Sequence, residues 1–204
     1  VIYSNLYSKD VANLKAFWAK RGFKPVFKSV TDDEAFLAQG DLVVSENSPT
    51  VKEILDFMML WSDNLLADRL AGLAARAAGY PLNIKGIDTI FRILLAQFEI
   101  DDSKLVVADA SGLSKKNKIT AKLMGELLYK IRKDERYALL YESLPVGGVS
   151  GTLQNRFTTT APSAVGLVRA KTGTLNGTAT LAGYVQSTDR EYVFVTLADD
   201  IAKG

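Results

Sequence analysis

Two short polar clusters carry the side chains that could do chemistry. Ser62-Asp63-Asn64 offers a hydroxyl, a carboxylate and a carboxamide at consecutive positions. Lys171-Thr172-Gly173-Thr174 begins 109 positions after Ser62 and offers an ammonium, two hydroxyls and a glycine. On a strand, such a lysine and threonine would present positive charge and a hydroxyl along a sheet edge. The glycine would let a substrate backbone lie close, and the N–H that follows would be free to point at an oxyanion. Each cluster also has a plainer reading. Ser-Asp-Asn is good helix-cap chemistry, and Lys-Thr-Gly-Thr fits a hairpin turn on a solvated edge. What the chain lacks narrows the choice further, because it contains no His and no Cys. That removes Ser-His-Asp triads, Cys-His nucleophile pairs, thiolate and imidazole metal sites, and disulfides. Proton transfer would fall to Lys, Asp, Glu, Tyr or water.

The elements that must hold these clusters follow from the apolar periodicity. Val11 to Gly22 reads as an amphipathic helix with Leu14, Phe17 and Trp18 on one face and Gly22 at its C-terminal cap. Lys24 to Val44 is mixed, with strand-like pieces. Thr50 and Glu53 have capping-box spacing ahead of Ile54, Leu55, Met58 and Met59. The helical pattern pauses at Ser62-Asp63-Asn64 and resumes through Leu65, Leu66, Leu70 and Leu73 to stop at Gly79, which places the first cluster in a helix-to-helix turn. Further helices are expected over Ile84 to Phe98, Ala121 to Arg132 and Arg136 to Leu144. Val165 to Ala170, Thr178 to Gln186 and Glu191 to Leu197 read as strands, with turns at Gly173 to Gly177 and Ser187 to Arg190. Short turns between sequential strands predict an antiparallel meander, and helices followed by strands predict an α+β fold.

Composition sets the outer limits. In 204 residues, 48% are hydrophobic, enough for a core. Lys plus Arg is 25 and Asp plus Glu 23, so there is no basic field of the kind nucleic acid requires. No apolar run reaches the roughly 18 residues of a membrane helix. Residues 1–10 lack the regions of a signal peptide, and the first residue is Val1, so the chain is expected to begin mid-protein or after processing.

In order and setting, the two clusters match two of the three motifs of serine-lysine penicillin-interacting enzymes. Other blocks extend the match. They are Asn47-Ser48-Pro49-Thr50; Ser62 to Asp68; Asp109-Ala110-Ser111-Gly112-Leu113-Ser114, with Ala110 where Gly is usual; the glycine-rich stretch Leu144 to Leu153 with Arg156; Arg169 to Leu175; and Leu181-Ala182-Gly183-Tyr184. The chain resembles the class C low-molecular-mass penicillin-binding proteins, the D-alanyl-D-alanine carboxypeptidase/endopeptidases of peptidase family S13, from about Asp41 to its end. The resemblance implies a β-lactamase/transpeptidase-like fold, a helical cluster packed on an antiparallel sheet, incomplete in this chain. Residues 1–40 would close a region inserted between the first and second motifs, and 41–204 would form the later part of the catalytic domain.

It also implies a mechanism. A serine of a Ser-x-x-Lys motif attacks the carbonyl of the terminal D-Ala-D-Ala bond, its lysine acts as base, and the acyl-enzyme is hydrolysed. Ser62 would relay a proton to the leaving amine and Asn64 would hold an amide of the substrate. Lys171 would supply positive charge, and Thr172 and Thr174 would bind the terminal carboxylate beside Gly173. The Thr174 N–H would join the oxyanion hole. β-Lactams would acylate the same serine. The implied partners are peptidoglycan stem peptides ending in D-Ala-D-Ala, β-lactams and the missing N-terminal segment of the same protein. No nucleic acid, metal or cofactor is implied, and the location would be periplasmic or otherwise extracytoplasmic.

No serine in the chain has Lys three positions later, so the nucleophile segment is expected to be absent and the chain alone unable to acylate. Asp109 and Arg156 are expected to form a structural turn and ion pair rather than to position the cleft. A β-lactamase of the same fold and a non-catalytic peptidoglycan-binding module remain the competing readings.

Overall fold

The computed structural model describes residues 8–26 and 48–202, and the chain divides into two compact units, 1–47 and 48–204. In the first unit, helix α1 spans Ser8–Ala19. It closes through Gly22 N–H to Ala19 O (3.1 Å) and Phe23 N–H to Trp18 O (3.1 Å), with the Trp18 and Phe23 rings edge to face at 5.7 Å. Gly22 therefore caps the helix as expected. The strand-like pieces expected within Lys24 to Val44 lie almost wholly outside the described residues.

The second unit is a set of helices and a three-stranded sheet, the expected α+β arrangement. Helices α2 (Val51–Trp61), α3 (Asn64–Ala77), α4 (Ile84–Gln97) and α5 (Ala121–Arg132) precede the short α6 (Ala138–Glu142). The capping box at α2 is present in both directions: Glu53 N–H donates to Thr50 Oγ1, and Thr50 N–H donates to Glu53 Oε2 at 2.7 Å. The helix expected over Arg136 to Leu144 is broken. Asp134 caps a 3₁₀ turn at Glu135–Tyr137, and only Ala138–Glu142 is α-helical. Asp134 N-capping at Arg136 N–H satisfies the backbone locally and favours the tighter turn.

Strands β1 (Val168–Leu175), β2 (Thr178–Gln186) and β3 (Glu191–Ala198) form an antiparallel meander in the order β1-β2-β3. The first strand differs from expectation. Residues 165–167 lie before it, and it runs on through Lys171 to Leu175, because β1 stays paired with β2 until Leu175 faces Thr178. The turn is therefore only Asn176-Gly177, and the lysine cluster sits within a strand rather than at its end.

Two apolar clusters support the site. Leu95, Ile100 and Leu123 tie α4 to α5. Leu153, Val168 and Ala170 join the glycine-rich loop to β1, with Phe157, Leu181 and Phe194 against them. On the sheet's other face, α5 packs on β3. The contact is polar as well as apolar: Arg132 Nε pairs with Glu191 at 2.7 Å, Tyr141 OH donates to the same carboxylate at 2.6 Å, and Tyr184 OH donates to Leu128 O at 2.8 Å.

Candidate active site

The two polar clusters meet. Lys171 Nζ donates to Ser62 Oγ at 2.6 Å and to the Thr172 carbonyl at 2.9 Å. Ser62 is placed by its backbone. It ends α2 in the left-handed conformation, φ 58° and ψ 50°, where its N–H caps back to Met58 O. A non-glycine residue there is strained, and such strain persists when the surroundings fix it. Asp63 then turns extended and caps α3, its Oδ1 accepting from Leu66 N–H at 2.9 Å. Within the triplet, Asp63 is the helix cap and Ser62 faces the lysine. Asn64, the first residue of α3, is exposed, and its carboxamide has no hydrogen-bond partner among the described residues.

Strand alternation explains how β1 presents its cluster. Arg169, Lys171 and Gly173 share one face, and Val168, Ala170 and Thr172 the other. The first face looks toward Ser62 and the second toward the glycine-rich loop. A Cβ at Gly173 would lie 2.4 Å from Thr180 Oγ1 on β2, so the sheet itself needs glycine there. Among the described residues, the outer edge of β1 is covered only in its first half: Gly147 N–H donates to Val168 O at 2.8 Å and Ala170 N–H donates to Pro145 O at 3.0 Å. Carrying that alternation forward turns the N–H and C=O groups of Thr172 and Thr174 to the same outer side. The Thr172 carbonyl is taken by Lys171, and the exposed Thr174 hydroxyl has no partner among the described residues.

Electrostatically, the Lys171 ammonium has hydrogen-bond partners but no carboxylate partner among the described residues. Burial pushes its pKa below the usual lysine value. A half-buried cation without a counter-ion, at an open strand edge, suits an anionic ligand. No group of three or more metal-ligating side chains occurs among the described residues.

Asp109 is an internal strut of its loop. It accepts from Gly112 N–H (2.8 Å), Ser114 N–H (2.6 Å) and Asn117 Nδ2 (2.7 Å). The expected turn is there, but the expected ion pair is not: Arg156 is exposed and forms no salt bridge among the described residues. The loop is docked instead by Asp68, whose Oδ1 accepts from Ala110 and Ser111 N–H, each at 2.9 Å. Asp68 lies one turn after Asn64, so the loop sits on the Asn64 face of α3. Sequence reasoning assigned no role to Thr152, whose Oγ1 is 3.0 Å from Thr172 Oγ1.

The arrangement agrees with what comparison with known proteins finds. Residues 6–203 match the D-Ala-D-Ala carboxypeptidase 3 (S13) family. This chain belongs to that family. The S13 chain is 37% identical to "Carboxypeptidase DacB" of Mycolicibacterium smegmatis over 188 residues, 90% of this chain and 40% of that protein. It is 33% identical to "D-alanyl-D-alanine carboxypeptidase DacB" of Haemophilus influenzae over 172 residues, 81% of this chain and 35% of that protein. Among solved structures, it is similar to penicillin binding protein 4 (dacB) from Haemophilus influenzae complexed with a β-lactam. The TM-score is 0.69 with 32% identity, covering 74% of this chain and 36% of that one. The S13 chain thus spans well under half the length of the relatives it matches. Its α+β architecture, helices with a three-stranded antiparallel sheet, is part of the penicillin-binding fold. No helix among the described residues is long and apolar enough to cross a membrane.

Proposed function

We propose that this chain forms the substrate-holding half of a serine-type D-Ala-D-Ala carboxypeptidase that acts on peptidoglycan stem peptides outside the cytoplasm. The observation that carries the reading is the 2.6 Å contact of Lys171 with Ser62 at an open strand edge, with no carboxylate on the ammonium among the described residues. The attacking serine and its lysine come from chain outside these 204 residues, since no Ser-x-x-Lys occurs among them. By itself the 204-residue chain then forms no penicilloyl adduct.

The geometry supports the following steps. The substrate backbone lies along the outer edge of β1 beyond Ala170. Its terminal carboxylate meets the Thr172 and Thr174 hydroxyls in the field of Lys171. The attacking serine gives its proton to its paired lysine and adds to the carbonyl carbon, whose oxygen takes negative charge beside the Thr174 N–H. Ser62 accepts from the Lys171 ammonium, which makes its own proton easier to give. That proton passes to the leaving amine as the C–N bond breaks and D-alanine departs, and Ser62 takes its replacement from the lysine that received the serine's proton. Water then cleaves the ester and restores the serine. Asn64 donates its free carboxamide to the substrate upstream of the scissile bond. A β-lactam enters the same path and stops at the acyl-enzyme.

The test is release of D-alanine from a pentapeptide ending in D-Ala-D-Ala by the whole protein that carries this chain. The expected result is stoichiometric release, abolished by prior treatment with benzylpenicillin. Rapid hydrolysis of benzylpenicillin without D-alanine release would make it a β-lactamase. Binding without either reaction would make it a non-catalytic module.

A further inference from the structure

The turn Gly151–Leu153 alternates buried, exposed, buried, and the exposed residue is Thr152. Both neighbours are fixed. Leu153 is 1% exposed within the cluster that holds Val168 and Ala170 of β1, and its carbonyl accepts from Gly148 N–H at 2.9 Å. Gly151 sits at φ +54° with so little room that a Cβ would lie 2.5 Å from the Leu60 carbonyl, in the last turn of α2 before Ser62. The turn is therefore clamped between the strand that carries Lys171 and the helix that ends at Ser62. Its one outward side chain places a hydroxyl 3.0 Å from Thr172 Oγ1.

A hydroxyl has one proton and two lone pairs, and the proton rotates to suit its partners. The two hydroxyls share one hydrogen bond, and either can donate it. A carboxylate accepts only, so Thr172 must turn its proton toward it. Thr172 Oγ1 then needs a donor of its own to keep its position, and Thr152 is a hydroxyl in reach. The pair then forms a chain, Thr152 O–H to Thr172 O–H to carboxylate, in which each bond polarises the next.

We propose that Thr152 is a positioning residue for recognition of a carboxylate-bearing ligand, acting through Thr172. This rests on the reading of Thr172 as a carboxylate ligand. The experiment measures second-order acylation of the whole protein by benzylpenicillin and by its methyl ester, which lacks the anionic carboxylate. Thr152→Val should slow acylation by the acid about fivefold, the range of one hydrogen bond, and so cut the acid-to-ester preference by the same factor. Thr152→Ser, which keeps the hydroxyl, should restore the preference. An unchanged preference in Thr152→Val, or equal loss on acid and ester, would overturn the proposal. A wild-type protein with no preference for the acid, unaltered by Thr172→Val, would instead overturn the underlying reading of Thr172 and the proposal with it. A preference lost in Thr172→Val but kept in Thr152→Val would overturn the role of Thr152 alone.

Discussion

Lys171 Nζ and Ser62 Oγ, 109 residues apart in sequence, stand 2.6 Å apart in the fold. The contact joins the end of α2 to the middle of β1, and it places the half-buried ammonium beside a hydroxyl instead of a carboxylate. Ion pairing would have quenched the charge. Hydrogen bonding to a neutral group leaves the charge uncompensated among the described residues.

Ser62 accepts backbone strain for its place in this contact. Its φ of 58° suits glycine better than serine, and a non-glycine residue in that region costs about 1–2 kcal/mol. Ser62→Gly should therefore be no less stable than the wild type in thermal unfolding, while D-alanine release falls roughly 100-fold, the lower end of the loss expected for a proton-transfer group. Retained turnover would show that the hydroxyl moves no proton.

Gly151 fixes the loop against α2. In Gly151→Ala a methyl would meet the Leu60 carbonyl at 2.5 Å on a φ of +54°, so the backbone must shift. The expected cost is about 2–3 kcal/mol in denaturant unfolding, with slower β-lactam acylation because Ser62 is two residues from the contact. A variant of wild-type stability would show that the loop yields freely.

Tyr184 sets an alkaline limit on stability. It is 2% exposed, and burial, aided by the negative charge of Glu191, pushes its phenol up to about 12. In the unfolded chain it titrates near ~10. A folded value above the unfolded one means that the contribution is whole below about pH 10 and is lost as pH rises toward 12, with a ceiling of about 3 kcal/mol. Stability measured by urea unfolding should fall across that window, and Tyr184→Phe should flatten the fall. An unchanged slope in the variant would show that Tyr184 does not carry it.

Much of this was legible in sequence where the signal is local. The Thr50–Glu53 box and the α5 boundaries depend on neighbours a few residues away. The length of β1 was not, because Lys171 to Leu175 becomes strand only through pairing with β2, and its glycine and threonines look like a turn by themselves. At the Ser62 triplet the cap is a local signal, since Asp63 caps α3 three residues on, whereas the meeting of Ser62 with Lys171 is made by the fold. Arg156 was given an ion pair because its charge suggested one, yet sequence cannot say that it faces solvent. Thr152 lies in the glycine-rich block, yet nothing local singles it out: its exposure depends on Leu153 and Gly151 being buried on either side, which is a property of the folded loop.

The most direct measurement of the central claim is the acylation rate of the whole protein by a fluorescent penicillin, compared with its Lys171→Ala variant at equal folded concentration. In the proposed mechanism, loss of the Lys171 ammonium removes the charge that draws in the carboxylate and the donor to Ser62. The rate should fall by roughly 100-fold or more, in line with the removal of one preorganised electrostatic group. An unchanged rate in a folded Lys171→Ala protein would contradict the account.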